Sequence, residues 1–260
     1  MQTIAFCNRK GGSGKTTTSV HVAAGLALMG HRVLLVDTDP QAHATLWLTL
    51  ETGQNQGLYE VLTGQVGACE AAAATAIKGL YLLSGNKKLA DFEADNLKKA
   101  GAAHILRKAI SPCHRDFEYV IFDTPPYLSL LMLSVIMTFP ALFVTVPLQF
   151  LALEGLTQMA RLTDEIGSRT GNMLKINGII PVMFNRQLKS SHVILKKIKE
   201  QFGTDLLCPY IRQNIRLAEA PGNGSPVYIC SPDSPGSQDY SSLTKAIRKR
   251  VPLNQSSSCV

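Results

Sequence analysis

Asn8-Arg9-Lys10-Gly11-Gly12-Ser13-Gly14-Lys15-Thr16-Thr17 decides the fold, because it joins an apolar run at residues 3–7 to a helical pattern that starts at Thr16. A buried strand that passes through glycines into a helix N-terminus builds a cradle for phosphate. Where no Cβ stands in the way, backbone N–H groups approach the phosphate oxygens, and the helix dipole adds partial positive charge. In such a cradle Lys15 reaches the outer phosphates and the Thr16 hydroxyl ligates Mg2+. Gly11, Gly12, Ser13, Gly14, Lys15, Thr16 and Thr17 are the expected nucleotide contacts. The general pattern is G-x-x-x-x-G-K-[ST]. Here Arg9 replaces its first glycine, and Lys10 precedes Gly11-Gly12.

Working outward, Val20, Ala23, Ala24, Ala27 and Leu28 recur at helical spacing until Gly30 stops them. Val33-Leu34-Leu35-Val36 is then a continuous apolar run, as a central parallel strand covered on both faces requires. It ends in Asp37-Thr38-Asp39-Pro40-Gln41, which puts carboxylates at a strand tip, where open α/β sheets hold their ligands. Tyr119-Val120-Ile121-Phe122-Asp123 reads the same way, with Asp123 placed to hold Mg2+ directly or through water. Further strands are expected at 80–83, 142–146 and 176–184. Helices are expected at 57–62, 68–76, 128–138, 154–166, 190–202 and 240–251, with a stretch at 87–110 broken near Gly101. The charges of that last stretch read as a solvated face. The fold class that follows is α/β, a single doubly wound, mostly parallel sheet with helices on both faces. One domain spans 1–252, and a polar, Ser-rich tail at 253–260 is expected to be disordered.

The K-G-G-x-G-K-T-T loop resembles the deviant Walker A of the ParA/MinD family of ATPases. V-D-x-D-P-Q at Val36–Gln41, D-x-P-P at Asp123–Pro126, and Ile211-Arg212-Gln213-Asn214-Ile215-Arg216-Leu217-Ala218-Glu219-Ala220-Pro221 sharpen the likeness to the short partition ATPases called ParA or Soj. The resemblance runs from Met1 to about Arg250. It implies a Mg2+-dependent ATP hydrolase in which Lys10 crosses to the nucleotide of the partner subunit and Asp39 positions the attacking water. Asp37 is a supporting carboxylate near Mg2+, and Asp123 is the Walker B residue. Asn185 ends a strand where the family reads the base, an amide offering donor and acceptor together, and Tyr210 and Ile211 are assigned beside it. A turn-forming role for Asn185 stays open. For DNA, Arg216 matches the family's arginine, while Arg212 and Gln213 stand where the family has Pro and Arg. A second family arginine aligns with Gln187, with Arg186 and Lys189 close by, and Lys245 and Arg248 of the closing helix extend the set. The implied partners are a second copy of the chain, non-specific double-stranded DNA, and a ParB-like protein or cargo adaptor. The implied cargo is chromosome or plasmid DNA, or an organelle or protein cluster, in a cytoplasmic, nucleoid-associated setting.

Composition agrees with an anionic partner. The 260 residues carry a net charge of +7 and a pI near 9.1, which favours nucleic acid or acidic lipid over a neutral ligand. The six cysteines are scattered with no C-x-x-C, so no zinc site or disulfide framework is expected and the thiols read as reduced. No basic, apolar and cleavable leader opens the sequence. Residues 127–153 lack any charge, yet Pro140 and Pro147 divide them into pieces too short to span a bilayer, so no integral membrane segment is expected. That run is expected to leave an apolar surface for dimer or partner contact. Two other classes compete. A MinD-like membrane switch needs an amphipathic C-terminal helix, and Leu243, Ile247 and Val251 give only a thin stripe before Pro252. A redox protein like the nitrogenase iron protein needs interface cysteines, and Cys113 lacks the Gly-rich setting.

Overall fold

The computed structural model describes residues 1–49, 56–99, 101–138, 140–149, 151–171 and 174–253. The chain opens with β1 (Gln2–Cys7), α1 (Lys15–Leu28), β2 (Val33–Asp37) and α2 (His43–Thr49). It continues through α3 (Leu58–Leu62), α4 (Ala68–Ala71), β3 (Ala73–Ala74), β4 (Leu80–Leu83), α5 (Lys88–Asn96) and α6 (Ile105–Ile110). Next come β5 (Tyr119–Asp123), α7 (Leu130–Ile136), β6 (Ala141–Pro147), α8 (Ala152–Thr170), β7 (Ile176–Val182) and α9 (Lys189–Phe202). Three short or terminal helices close it: α10 (Ile215–Glu219), α11 (Val227–Cys230) and α12 (Pro235–Arg250).

The seven strands form one sheet in the order β3-β4-β2-β5-β1-β6-β7, parallel except where β3 pairs antiparallel with β4. The chain leaves β1 towards β2 and β4, returns at β5, then crosses to β6 and β7 on the far side. That reversal beside β1 opens a crevice at the strands' C-terminal ends. Successive residues of each strand face opposite cores, as the period of two demands. Leu34 and Val36 of β2, with Val120 and Phe122 of β5, enter one core, which is completed by α3 to α9. Val33, Leu35, Tyr119 and Ile121 enter the other, under α1, α2 and α12. Each fully buried Leu, Ile, Val or Phe contributes about 1.5–3 kcal/mol, and a strand slipped by one residue would exchange the two sets. Register therefore fixes the strand tips, and it sets Asp37 level with Asp123.

Most expected elements form, with informative differences. The helix expected at 68–76 stops at Ala71. Residues 73–74 add to the open edge of β4 instead, because unpaired strand groups there offer hydrogen bonds that helix propensity in an alanine run does not outweigh. The closing helix begins at Pro235, earlier than expected, because the Ser234 side chain accepts from the Ser237 N–H and proline suits the first helical position. Leu28, expected on the apolar face of α1, is exposed. The small-residue turn after Gln41 is the entry to α2, which Ala42 makes with a φ of 52°. Six of the seven residues of α7 are buried, so the uncharged run is core. Among the described residues of the run, Tyr127, Leu128 and Leu151 at its loop ends are the exposed large apolar ones. No helix among the described residues is long and apolar enough to cross a membrane. The tail at 254–260 lies outside the described residues.

One buried histidine ties together the helices on one side of the sheet. The His21 ring stacks on Tyr240 with centroids 4.4 Å apart and meets Trp47 and Tyr228 edge-on. Its Nδ1 lies 2.6 Å from the Thr17 carbonyl and donates to it, and its Nε2 accepts from the Val227 N–H at 3.0 Å. Both nitrogens are satisfied only in the neutral form, and burial lowers the pKa to about 4. An unfolded chain protonates this residue near pH 6.5. The stability it supports is therefore lost as pH falls from about 6.5 to 4, by about 3 kcal/mol. The buried carboxyls of Asp37 and Asp123, raised to about 6 and about 7, act in the opposite sense. The His21 resonance, followed by NMR in a pH titration, is expected to have its midpoint near 4. A midpoint above 6 would contradict this neutral, doubly bonded imidazole.

Candidate functional site

Residues 8–14 connect β1 to α1 in the crevice. Asn8 shapes the loop, donating through Nδ2 to the Thr145 carbonyl at 2.6 Å and accepting the Lys10 N–H at 2.9 Å. Gly12 and Gly14 take φ values of 66° and 79°, where a Cβ is strained. A Cβ on Gly11 or Gly12 would meet open space, so the loop surface is clear for a ligand. The loop, with Lys15, Thr16, Thr17, Asp39, Gln41, His43 and Pro126, lines a cleft of about 320 Å³. Beside it, Thr16, Thr17, His43, Leu46, Trp47, Pro221 and Gly222 line a more apolar cleft of about 500 Å³.

The two lysines of the loop occupy opposite environments. Lys15 is 6% exposed, its Nζ donates to the Lys10 carbonyl at 3.3 Å, and burial lowers its pKa against the pull of Asp123, Cys7 and Asp39. Lys10 is exposed. Asp123, fully buried at the tip of β5, accepts from Ser19 Oγ at 3.0 Å through Oδ1, while Oδ2 has no partner. Burial first, then the Asp37 charge, raises its pKa to about 7, opposed by the Thr16 hydroxyl, Lys15 and Ser19. An orphaned carboxylate oxygen near a threonine hydroxyl and a desolvated ammonium is a donor set that fits a cation beside an anion.

The Asp37 carboxylate, level with Asp123, is tied into the loop that follows β2. Its Oδ2 accepts from both the N–H and the hydroxyl of Thr45 at 2.8 Å, and its Oδ1 accepts the Asp39 N–H at 3.2 Å. Thr45 Oγ1 in turn accepts the Gly85 N–H at 2.9 Å. A side chain on Gly85 would lie 2.8 Å from the Asp37 carbonyl, so only glycine allows this closure. Asp37 thus shapes the loop that presents Asp39, whose Oδ1 is held by the Gln41 N–H at 2.9 Å. No group of three His, Cys, Asp or Glu placed to hold a metal exists among the described residues.

The remaining expected contacts divide. Asn185, Tyr210 and Ile211 are neighbours: Phe184 N–H donates to the Ile211 carbonyl at 3.0 Å, and the Phe184 and Tyr210 rings lie 4.5 Å apart. The end of β7 abuts the loop, Val182 lying 3.4 Å from where Gly14 would carry a Cβ. Asn185 Oδ1 accepts the Gln187 N–H at 2.9 Å, a local turn that leaves the amide donors for a ligand. Arg186, Lys189, Arg216, Lys245 and Arg248 are exposed. Arg212, placed with them from the sequence, is instead a structural residue: its guanidinium grips Asp239 at 2.7 and 2.9 Å and donates to the Pro235 carbonyl, joining the segment before α10 to α12. Arg250, at the end of the basic triplet, donates to the carbonyls of Asn177, Asp205, Leu206 and Leu207.

Sequence reasoning missed Gln41, His43, Pro126 and Trp47 in the clefts. It also missed Glu93, which lies in the stretch read as solvated. Glu93 Oε1 accepts the Leu131 N–H at 2.8 Å, and burial followed by the Glu93 and Asp39 charges raises the Tyr127 pKa. α5 therefore braces the segment that follows Asp123. The non-glycine residues with positive φ, Ala42, Leu151 and Met183, follow β2, β6 and β7 on the cleft side. Each carries strain of order 1 kcal/mol.

Comparison with known proteins agrees with this geometry. An AAA domain family model matches residues 1–176. The chromosome partitioning protein ParA of Caulobacter vibrioides is 32% identical over 253 residues, covering 96% of this chain and 95% of the relative. The sporulation initiation inhibitor protein Soj of Bacillus subtilis is 31% identical over 245 residues, 94% of this chain and 97% of its own. Cobyrinic acid a,c-diamide synthase from Mycobacterium smegmatis, solved with a bound ATP analog and magnesium, superposes with a TM-score of 0.82 at 28% identity, covering 98% of this chain and 100% of that one. A lysine-bearing glycine loop, level carboxylates on β2 and β5, and relatives of this similarity along almost the whole length lead to one assignment: the chain belongs to the ParA/Soj family of partition ATPases.

Proposed function

We propose that this protein is a Mg2+-dependent ATP hydrolase that dimerises on ATP and, as the dimer, binds double-stranded DNA without sequence preference. In this reading it segregates chromosome or plasmid DNA in the cytoplasm, on the nucleoid, and a ParB-like partner stimulates its hydrolysis. The observation that carries the reading is the division between the two lysines: Lys15 is buried beneath the loop, whereas Lys10 is exposed and makes no ion pair among the described residues. One ammonium serves the chain's own ligand. The other is available to a second copy.

The donor set fits the ligand, since the unpartnered Asp123 Oδ2 and the desolvated Lys15 both gain from a bound cation and anion. Thr16 and Asp123 would hold Mg2+, which supplies charge neutralisation at the phosphate oxygens. Lys15 and the N–H groups of residues 11–16 orient the phosphates. Asp39, fixed by Gln41 and by the Asp37 network, orients the attacking water. Lys10 of each subunit neutralises charge on the opposite nucleotide, as an arginine finger does. Exposed Tyr127, Leu128 and Leu151 supply apolar area for the same union. Arg186, Lys189, Arg216, Lys245 and Arg248 are the proposed phosphate contacts. The Arg216 pair with Glu219 is exposed and costs little to break. Dimerisation doubles the cationic set, so DNA affinity should fall steeply with salt.

Asp39→Ala tests the reading. The variant is expected to lose about 10²-fold in ATP turnover while ATP still drives it onto plasmid DNA as a persistent dimer. Steady-state phosphate release and co-sedimentation with DNA across a salt series measure both effects. Turnover at the unaltered rate would remove the role of Asp39, and absence of ATP-dependent DNA binding in both proteins would remove the DNA reading.

A further inference from the structure

Cys69, in α4, and Cys113, in the 3-10 turn Ser111–Arg115, are 44 positions apart, yet their Sγ atoms lie 2.6 Å from each other. The contact is remote from the phosphate loop, on the core face built by α3 to α9. Cys113 is completely buried and Cys69 is partly exposed. Neither thiol is used by the nucleotide chemistry.

We propose that Cys69 and Cys113 form a dithiol modification site that closes to an intramolecular disulfide when the protein meets a hydroperoxide. The Cys69 thiolate attacks the terminal peroxide oxygen, the O–O bond breaks, and alkoxide leaves, or hydroxide when the oxidant is hydrogen peroxide, giving a sulfenic acid at Cys69. The Cys113 sulfur then attacks the Cys69 sulfur, the S–O bond breaks, and water leaves with the Cys113 proton. Two thiols are oxidised and one hydroperoxide is reduced, to two waters when it is hydrogen peroxide. The order follows from access and from the contact itself. Cys69 meets solvent while Cys113 is buried, and their contact opposes the rise that burial causes in the Cys69 pKa but adds to the rise at Cys113. Burial and the Asp116 charge raise both, so closure belongs to the minutes-to-hours range of uncatalysed thiol chemistry.

The bridge would tie α4 to the turn that enters β5 and enclose β3, β4, α5 and α6 in a covalent loop. Both anchor points are already packed in the reduced fold, so the effect falls mainly on the unfolded chain. The thermal midpoint is expected to rise by roughly 5–10 °C on oxidation, with nucleotide binding unchanged.

The test treats the reduced full chain with hydrogen peroxide, blocks remaining thiols with iodoacetamide, and maps disulfides in a non-reducing digest by mass spectrometry. A Cys69–Cys113 linked peptide and a raised midpoint are expected, and both should vanish in Cys69→Ser. In Cys113→Ala, a dimedone adduct should accumulate at Cys69. Recovery of both cysteines as alkylated thiols, or of Cys69 as sulfinic acid beside an untouched Cys113, would overturn the proposal. The ATPase reading stands or falls separately, because it is read from nucleotide binding and turnover.

Discussion

Lys15→Ala is expected to weaken ATP binding by ~10²–10³-fold while leaving the fold intact. The size follows from the environment. The ammonium is 6% exposed, and removing one partner of a buried ionic contact costs about 3–5 kcal/mol, with each 1.4 kcal/mol worth a factor of ten. Folding of the unliganded chain should suffer little, because burial already lowers the Lys15 pKa and alanine removes that desolvation cost. The opposing effect is on Asp123, which loses an attractive charge and should titrate still higher than about 7. Isothermal titration calorimetry with ATP and Mg2+, alongside circular dichroism, separates the two effects. Micromolar binding retained by a folded variant would remove the phosphate-cradle reading.

The parts of this site written in consecutive residues are legible in the sequence. A glycine loop between a strand and a helix has few other solutions, so residues 10–17 and the acids ending β2 and β5 could be placed directly. What the sequence concealed depends on contacts between distant segments. V-D-x-D-P-Q puts both Asp37 and Asp39 at the strand tip, and only the fold shows Thr45, with Gly85 behind it, hydrogen-bonded to Asp37. Arg212 and Arg216 share one basic segment, yet Asp239, from α12, claims the first and leaves the second exposed. Glu93 reads as surface charge until α7 places the Leu131 N–H against it. The edge strand at 73–74 and the Cys69–Cys113 contact were hidden for the same reason: local pattern carries no record of which edge or which sulfur will be opposite.

Lys10→Ala should separate binding from assembly. Nucleotide affinity of the monomer is expected to stay within about threefold, because Lys10 is exposed and only its backbone carbonyl touches Lys15. The dimer, in contrast, loses the same contact twice, since a two-fold interface repeats each interaction. A charge-assisted hydrogen bond to phosphate is worth about 1.5–3 kcal/mol. Two of them amount to about 3–6 kcal/mol, or ~10²–10⁴ in the dimer dissociation constant. Sedimentation velocity with a non-hydrolysable ATP analogue should therefore show dimers of the unaltered chain and monomers of the variant at the same micromolar concentration. DNA binding should fall with it, since half the phosphate contacts are lost with the second copy. An unchanged sedimentation profile would mean that Lys10 faces solvent in the assembled state as it does in the single chain, and would remove the proposed cross-subunit role of Lys10.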